Sequence, residues 1–426
     1  MKISLVTIGS TGDVRPYILL GKELKKRGHT VTVGAFANFE KMARDAGLEF
    51  YPLSGDVVKL MANIMKPTTK GINFLTEVEK SLKDVAPVLL QDLMKACEGA
   101  DAMCCTFFGS LYYSIAEKYN IPCIQTHYFP MDSNNVTPIS SAPGQKLGKV
   151  WNRTSYRLGY LLISILEKRY LTKWREENGM SAQKLRTTPA YDMNGDLPVL
   201  YAMSPMILPR PREWGENIRM TGFWCDNEPV EYTPPDDLVE FLENGEQPIY
   251  IGFGSMVSGN MNKTFTTVIR AIRASKVRAV VNLGWGGDKL HLKSNSRIYF
   301  GDYIPHDWLF PRVKAVVHHG GAGTTAAGLR YGKPTLIVPF GGDQPFWGTR
   351  VHSVGCGPRP LPRQKMTVQR LSKALIDLTT RKSYAVAAEE MAQRLNQEDG
   401  TAQAADLIEK SVAAWYEARN GKKEAK

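Results

Sequence analysis

The sequence is short of the features that would tie it to a disulfide framework, a bound metal or a membrane span. Its six cysteines, Cys97, Cys104, Cys105, Cys123, Cys225 and Cys356, form no C-x-x-C pair and no disulfide-like spacing. Reduced, mostly buried thiols in a cytoplasmic protein are the expectation. No D-x-D triplet occurs anywhere in the chain. Residues 1–9 lack the basic start and the long apolar region of a secretory signal. The longest apolar stretch, residues 158–166, is about half of what a bilayer span needs. Repeats and low-complexity tracts are missing too.

What is present is a soluble, basic composition of 426 residues, with 43% hydrophobic and 23% charged side chains. That length suits two domains of roughly 200 residues each. The net charge of +12 favours acidic partners such as nucleotide phosphates or anionic lipid. Residues 146–186 hold ten of the basic side chains against three acids, more than half of the net excess in about a tenth of the chain. The same stretch carries Trp151, Tyr156, Tyr160, Leu161, Leu162, Ile165 and Tyr170. A basic-aromatic helix of this kind either rests peripherally on an anionic membrane or is an ordinary helix with one packed face. Nucleic-acid binding finds no recognisable module to support it.

The order of elements is that of parallel α/β domains. An apolar run at 3–8 stops at Gly9-Ser-Thr-Gly12, a helical pattern follows at 14–27, Gly28 suits a helix end, and 30–33 is a β-branched strand. Strands are predicted at 102–106 and 123–127, with a helix at 110–119 between them. A polar, proline-containing stretch at 226–246 reads as a linker. Beyond it strands are predicted at 249–253, 279–283, 297–300, 315–318 and 335–338, and helices at 262–275, 323–331, 343–354 and 368–380. A last helix spans 401–418. The simplest architecture is an α/β pair of Rossmann-like domains, 1–225 and 247–401, with parallel sheets facing an interdomain cleft and helix 402–420 packing back on the first domain.

The strongest motif is V-V-H-H-G-G-A-G-T-T at 316–325. A buried strand ends at two histidines and passes through glycines into a helix. Glycine lets the backbone approach a ligand, and a helix start offers free N–H groups and a positive dipole end. Such a turn suits a diphosphate. Neighbouring strand residues point to opposite faces, so one histidine faces the ligand while the other packs.

These residues, with F-G-S-M at 253–256, Y-I-P-H-D-W-L-F at 303–310, P-F-G-G-D-Q-P-F-W-G at 339–348 and G-S-T-G-D-V-R-P at 9–16, resemble glycosyltransferase family 1. Within it they are most similar to the sterol glucosyltransferases and related bacterial enzymes. The resemblance implies a GT-B fold and an inverting, metal-independent transfer of a hexose, glucose from UDP-glucose, to a hydroxyl of a lipophilic acceptor such as a sterol, triterpenoid, flavonoid or polyketide. No cofactor is implied, since the UDP-sugar is a co-substrate. By position, His318 meets the donor diphosphate, joined by Gly12, Ser255, Gly320, Gly323 and Thr324. Tyr303 and Ile304 hold the uracil, and Asp343 and Gln344 bind sugar hydroxyls. Read without the resemblance, Asp343 is a helix N-cap after a Gly-Gly turn. The missing D-x-D argues against the other large glycosyltransferase architecture, which binds diphosphate through a cation. Thr11, Arg15 and Gly341 depart from the usual sterol-type residues. The chain is also expected to begin at the catalytic domain, without the lipid-binding extension of the fungal enzymes.

The reaction needs a base, because the attacking alcohol must lose a proton. Asp13, in the loop after the first strand, is the candidate, with a helix-capping role as the alternative. A helix start is expected to lower its pKa. Acceptor-wall candidates are Met61, Met65, Phe107 and Phe129, with Ile64, Phe74, Phe108 and Tyr128 beside them. His127 is a further polar group, either orienting an acceptor or buried as a structural histidine. A nicotinamide dehydrogenase fits poorly, for the chain lacks G-x-G-x-x-G after the first strand and an acid after the second. A nucleotide-sugar epimerase, or a nucleotide-sugar-binding protein without transferase activity, remains the alternative.

Overall fold

The computed structural model describes residues 1–55, 86–106, 109–139, 142, 147–182, 184–187, 197–226, 231–254, 261–284, 292–301 and 304–424. The chain divides into two compact units, one of Met1–Pro205, Pro209–Trp224 and Asp399–Lys426, the other of Met206–Leu208 and Cys225–Glu398. Each is built on one parallel sheet.

In the first unit the strands are β1 (Lys2–Val6), β2 (Thr30–Phe36), β3 (Glu49–Leu53), β4 (Ala102–Cys105), β5 (Cys123–His127), β6 (Val199–Tyr201) and β7 (Ile218–Met220). They lie in the order β3-β2-β1-β4-β5-β6-β7, and all pair in parallel. The second unit has β8 (Ile249–Gly252), β9 (Ala279–Asn282), β10 (Ile298–Gly301), β11 (Val316–His318) and β12 (Thr335–Ile337). Their order is β10-β9-β8-β11-β12, again wholly parallel. Helices cover both faces of a parallel sheet, so its strands are buried on both sides and read as unbroken apolar runs. That is why Ile249, Ile251, Val316, Val317, Leu336 and Ile337 are all buried.

Each sheet reverses its direction of growth once, between β1 and β4 in the first unit and between β8 and β11 in the second. The loops leaving the carboxyl ends of such strands diverge there and open a crevice for a ligand.

All nine expected strands are present, and β3, β6 and β7 are additional. β3 reads E-F-Y-P-L, and its proline is tolerable only because β3 lies at the sheet edge. β6 and β7 are three residues each, too short to show a period. Part of the stretch expected to be a linker is a helix, Asp236–Glu243, which buries Leu238 and Phe241 against Tyr250 and Tyr299. The C-terminal helix, Gly400–Glu424, packs within the first unit. Arg27 reaches Asp406, Glu409 and Glu23, His29 reaches Glu409 at 2.7 Å, and Tyr416 Oη donates to Asp101 O at 2.9 Å. A Cβ at Gly400 would lie 2.4 Å from Phe223 O, so only glycine permits that helix to start there. All six cysteines are free thiols. Among the described residues no helix is long and apolar enough to cross a membrane.

Candidate functional site

The first unit presents a carboxylate at its switch point. After β1 the chain turns through Gly9 and Ser10 into the helix Thr11–Lys26. Ser10 is the N-cap: its Oγ accepts from Gly12 N at 3.3 Å. Asp13 sits at the third helical position and folds back, where Oδ2 accepts from Ser10 N at 2.7 Å and from Ser10 Oγ at 3.1 Å. This is a reciprocal capping box. A Cβ at Gly9 would stand 2.2 Å from Asp13 Oδ2, so that glycine makes room for the carboxylate. Tyr128 Oη donates to Asp13 O at 3.0 Å, and Thr7 shares a 2.9 Å hydrogen bond with Thr106 across the ends of β1 and β4.

The electrostatics differ from expectation. Burial pushes the Asp13 carboxyl up to about 6, against the lowering effect of both Ser10 hydrogen bonds. Desolvation therefore outweighs the helix start that was expected to lower it. The alternative capping role is shared: Ser10 is the N-cap and Asp13 its partner in the capping box. A carboxyl with a pKa near 6 is a better proton acceptor than an ordinary aspartate and is still ionised at neutral pH.

The second unit gathers its motifs after the carboxyl ends of β8, β10, β11 and β12. Past β11 the chain runs through His319, Gly320 and Gly321 into the helix Ala322–Arg330, whose N-cap, Gly321, provides no side chain to its first turn. The leading N–H groups thus lack a side-chain cap, at the positive end of the helix dipole. A Cβ on Gly323 would meet nothing within 4 Å, which leaves open space beside that turn. His319 lies in the middle of this arrangement. A Cβ on Gly321 would come 2.7 Å from its Nε2, and one on Gly254, after β8, 3.0 Å from its Cε1. Gly254 itself has a φ of +62°, a conformation that glycine adopts without strain. The imidazole therefore spans the turns that follow β8 and β11, at the second switch point.

Of the two histidines, His318, expected to meet the donor diphosphate, is the more deeply buried. His318 is fully buried inside β11, and its Nδ1 accepts from Gly320 N at 3.0 Å. Burial and the neighbouring His319 and His306 hold its pKa well below the usual value. That bond also occupies the Gly320 amide expected to face the donor. Gly320 is a turn residue: its φ is +101°, and a Cβ would meet Ile337 at 2.7 Å and Gln344 at 3.1 Å. His319, one residue past the strand, is partly exposed, and burial lowers its pKa to about 4. At neutral pH it is an uncharged hydrogen-bonding group.

Asp343 and Gln344 begin the helix Gln344–Ser353 after β12. The Asp343 carboxylate does not cap that helix; it accepts from Trp347 Nε1 at 2.9 Å. Gln344 Oε1 accepts from Phe340 N at 2.7 Å and Gly341 N at 3.2 Å, which orients the amide at the end of β12. Thr324 lies in the first turn of its helix, half-buried. Ile304 is buried against Tyr250 and Phe310. In the first unit, Gly12 spends its amide on the Ser10 cap. His127 is wholly buried with its ring 5.2 Å from that of Tyr201, and burial lowers its pKa to about 3. Phe129 is partly exposed. Ser255, Tyr303, Met61, Ile64, Met65, Phe74, Phe107 and Phe108 lie outside the described residues. Among the described residues no three histidine, cysteine or carboxylate side chains come together as a metal site.

Comparison with known proteins decides the family. Residues 3–138 match the glycosyltransferase family 28 N-terminal domain, and residues 280–409 match the erythromycin biosynthesis protein CIII-like C-terminal domain. A sterol 3-beta-glucosyltransferase of Arabidopsis thaliana is 36% identical over 94% of this chain and 64% of its own. A second from that plant is 32% identical over 97% and 68%. The chain belongs to the sterol 3-beta-glucosyltransferase family. It spans about two thirds of the length of these plant relatives. The fold agrees with the GT-B expectation: the glycotransferase of kitacinnamycin superposes with a TM-score of 0.71 at 19% identity, covering 96% of this chain and 99% of that one. The glycosyltransferase VinC, solved with dTDP, gives 0.64 at 16% identity over 97% and 100%.

Within this family member, Asp13 is expected to titrate near pH 6, readable by carbon-13 NMR of labelled aspartate and absent in Asp13→Asn. Ser10→Ala removes one bond to the ionised form, so the midpoint moves to higher pH. A midpoint near 4 in the unaltered protein, or none that disappears with Asp13→Asn, contradicts the buried-carboxylate description.

Proposed function

We propose that the chain transfers a hexose, glucose from UDP-glucose, to a hydroxyl group of a sterol-like lipophilic acceptor, with inversion at the anomeric carbon and without a metal ion. The observation that carries the reading is the glycine-flanked helix start at 321–324 with His319 beside it. The family adds the reaction class, and the names of the plant relatives add the acceptor class.

In this scheme the helix start and His319 hold the diphosphate. The negative charge that grows on the departing oxygen is met by fixed N–H dipoles and an imidazole N–H, groups that need no reorganisation during the reaction. Asp343 and Gln344 bind sugar hydroxyls, the carboxylate as an acceptor and the amide as both donor and acceptor. Asp13 accepts the proton of the attacking hydroxyl. One base and one displacement, from the face opposite the leaving diphosphate, give an inverted product.

Replacing Asp13 by Asn is expected to lower transfer by about 100-fold to 10,000-fold while UDP binding stays near its original value; retained turnover would leave Asp13 a cap partner only. In the unaltered protein kcat/KM rises with pH through about 6 as Asp13 ionises.

Calorimetry with UDP separates the histidines. His319→Ala is expected to weaken binding about 10-fold to 100-fold, the worth of a hydrogen bond to a charged group. Equal affinity in His319→Ala and the unaltered protein would remove His319 from the donor site.

A chelator is expected to leave the rate of glucose release from UDP-glucose to acceptor unchanged. Inhibition reversed by added magnesium would refute the metal-free scheme.

A further inference from the structure

The helix Gly148–Glu177 is amphipathic in the opposite sense to an ordinary surface helix. Its inward side is largely polar, with Tyr156 and Leu171 as the fully buried apolar members. Asn152, Ser155, Ser164 and Arg175 are each 4% exposed or less. Asn152 Nδ2 donates to Asn135 O at 3.0 Å, and Ser155 Oγ donates to Asn152 O at 2.7 Å while accepting from Ile139 N at 2.9 Å. Ser164 Oγ accepts from Arg186 N at 2.9 Å. Arg175 donates to Ser181 O at 2.7 Å, to Ser114 Oγ at 2.9 Å and to Glu117 at 3.0 Å. Tyr160 Oη adds a bond to Met131 O at 2.7 Å.

The outward side is apolar. Leu147, just before the helix, and Val150, Leu158, Leu162 and Ile165 within it are 67%, 80%, 47%, 43% and 40% exposed. At about 100° per residue these positions fall in one stripe roughly 120° wide, running for roughly 27 Å. Surface apolar residues are ordinarily scattered singly; a continuous stripe marks a surface that meets something. The exposed Lys149, Arg153, Arg157 and Lys168 follow one edge of this stripe, and residues 147–166 contain no acid.

We propose that this face docks on an anionic lipid surface, with the apolar stripe entering the headgroup boundary and the basic edge pairing with the lipid charges. An apolar strip edged by cations is complementary to a plane that is apolar within and negative at its rim. A second copy of the chain would bring the same cationic edge and no acid to answer it. The inference goes beyond the transfer reading and does not depend on it.

The test is co-sedimentation of the full chain with vesicles of phosphatidylcholine alone or mixed with phosphatidylserine, in the absence of donor and acceptor. Binding to the mixed vesicles only is expected. Arg153→Gln with Arg157→Gln should weaken it about twentyfold, since each surface cation contributes about fivefold. Leu158→Ser with Leu162→Ser should weaken it about tenfold or more, with circular dichroism melts unchanged because all four side chains face outward. No binding by the unaltered chain, or binding by both variants equal to that of the unaltered chain, overturns the proposal. A chain that is dimeric where Leu158→Ser with Leu162→Ser is monomeric, with neither bound to vesicles, would make this face a protein interface and overturn it as well.

Discussion

A helix that begins on glycine has nothing of its own to satisfy the N–H groups of its first turn, and the second unit of this protein is arranged around that deficit. The turn from β11 into Ala322–Arg330 must be glycine-rich because the chain bends through φ +101° at Gly320 and passes close to Ile337 and Gln344. The same lack of side chains leaves the helix start open. A neutral imidazole fills the remaining side, held over Gly254 and Gly321 where any Cβ would intrude. Steric need and anion affinity thus come from one stretch of glycines.

The first unit solves a different problem with the same topology. At its switch point the helix start is already capped, by Ser10, and the acid lies one turn in. A capping-box carboxylate near a helix dipole should be strongly acidic, by an amount of the order of 0.3–1 kcal/mol per favourable contact. Burial opposes this and is the larger effect, so the group settles near 6 rather than below 4. The balance suits a base that must be ionised at neutral pH yet hold a proton once it has taken one. One switch point therefore supplies uncompensated N–H donors, and the other a carboxylate whose donors only partly compensate its desolvation.

Most of this was legible in the residues. The strand–glycine–helix motifs set the order of elements, and the parallel sheets follow from apolar runs separated by helices. The elements that escaped were those without a period to read, such as the three-residue β6 and β7 and the edge strand with Pro52. At the site, the loop position of Asp13 was visible, but its pKa was not, because desolvation depends on neighbours brought from β4, β5 and the helix after β4. The histidine choice is more instructive. With the strand predicted to end at 318, strand geometry was already enough to place His318 inside a sheet covered on both faces. The first residue beyond it stands at the carboxyl edge, where the proposed scheme has it meet the diphosphate.

The long helix of the first unit shows a further limit, since its composition pointed to amphipathicity without saying which side turned inward. The usual rule buries the apolar face. Here the inner face carries Asn152, Ser155, Ser164 and Arg175, each matched to a specific partner, and a buried polar group is costly unless so matched. Once these partners fix the rotation of the helix, the apolar positions have no choice but to face outward. Rotating by half a turn would bury the leucines but leave the partners of the inner face, among them Ser114 Oγ, Asn135 O and Ile139 N, without their bonds, at a cost of about 1–3 kcal/mol for each polar group left buried and unsatisfied. The polar anchors therefore determine the orientation, and the outward apolar stripe is its consequence.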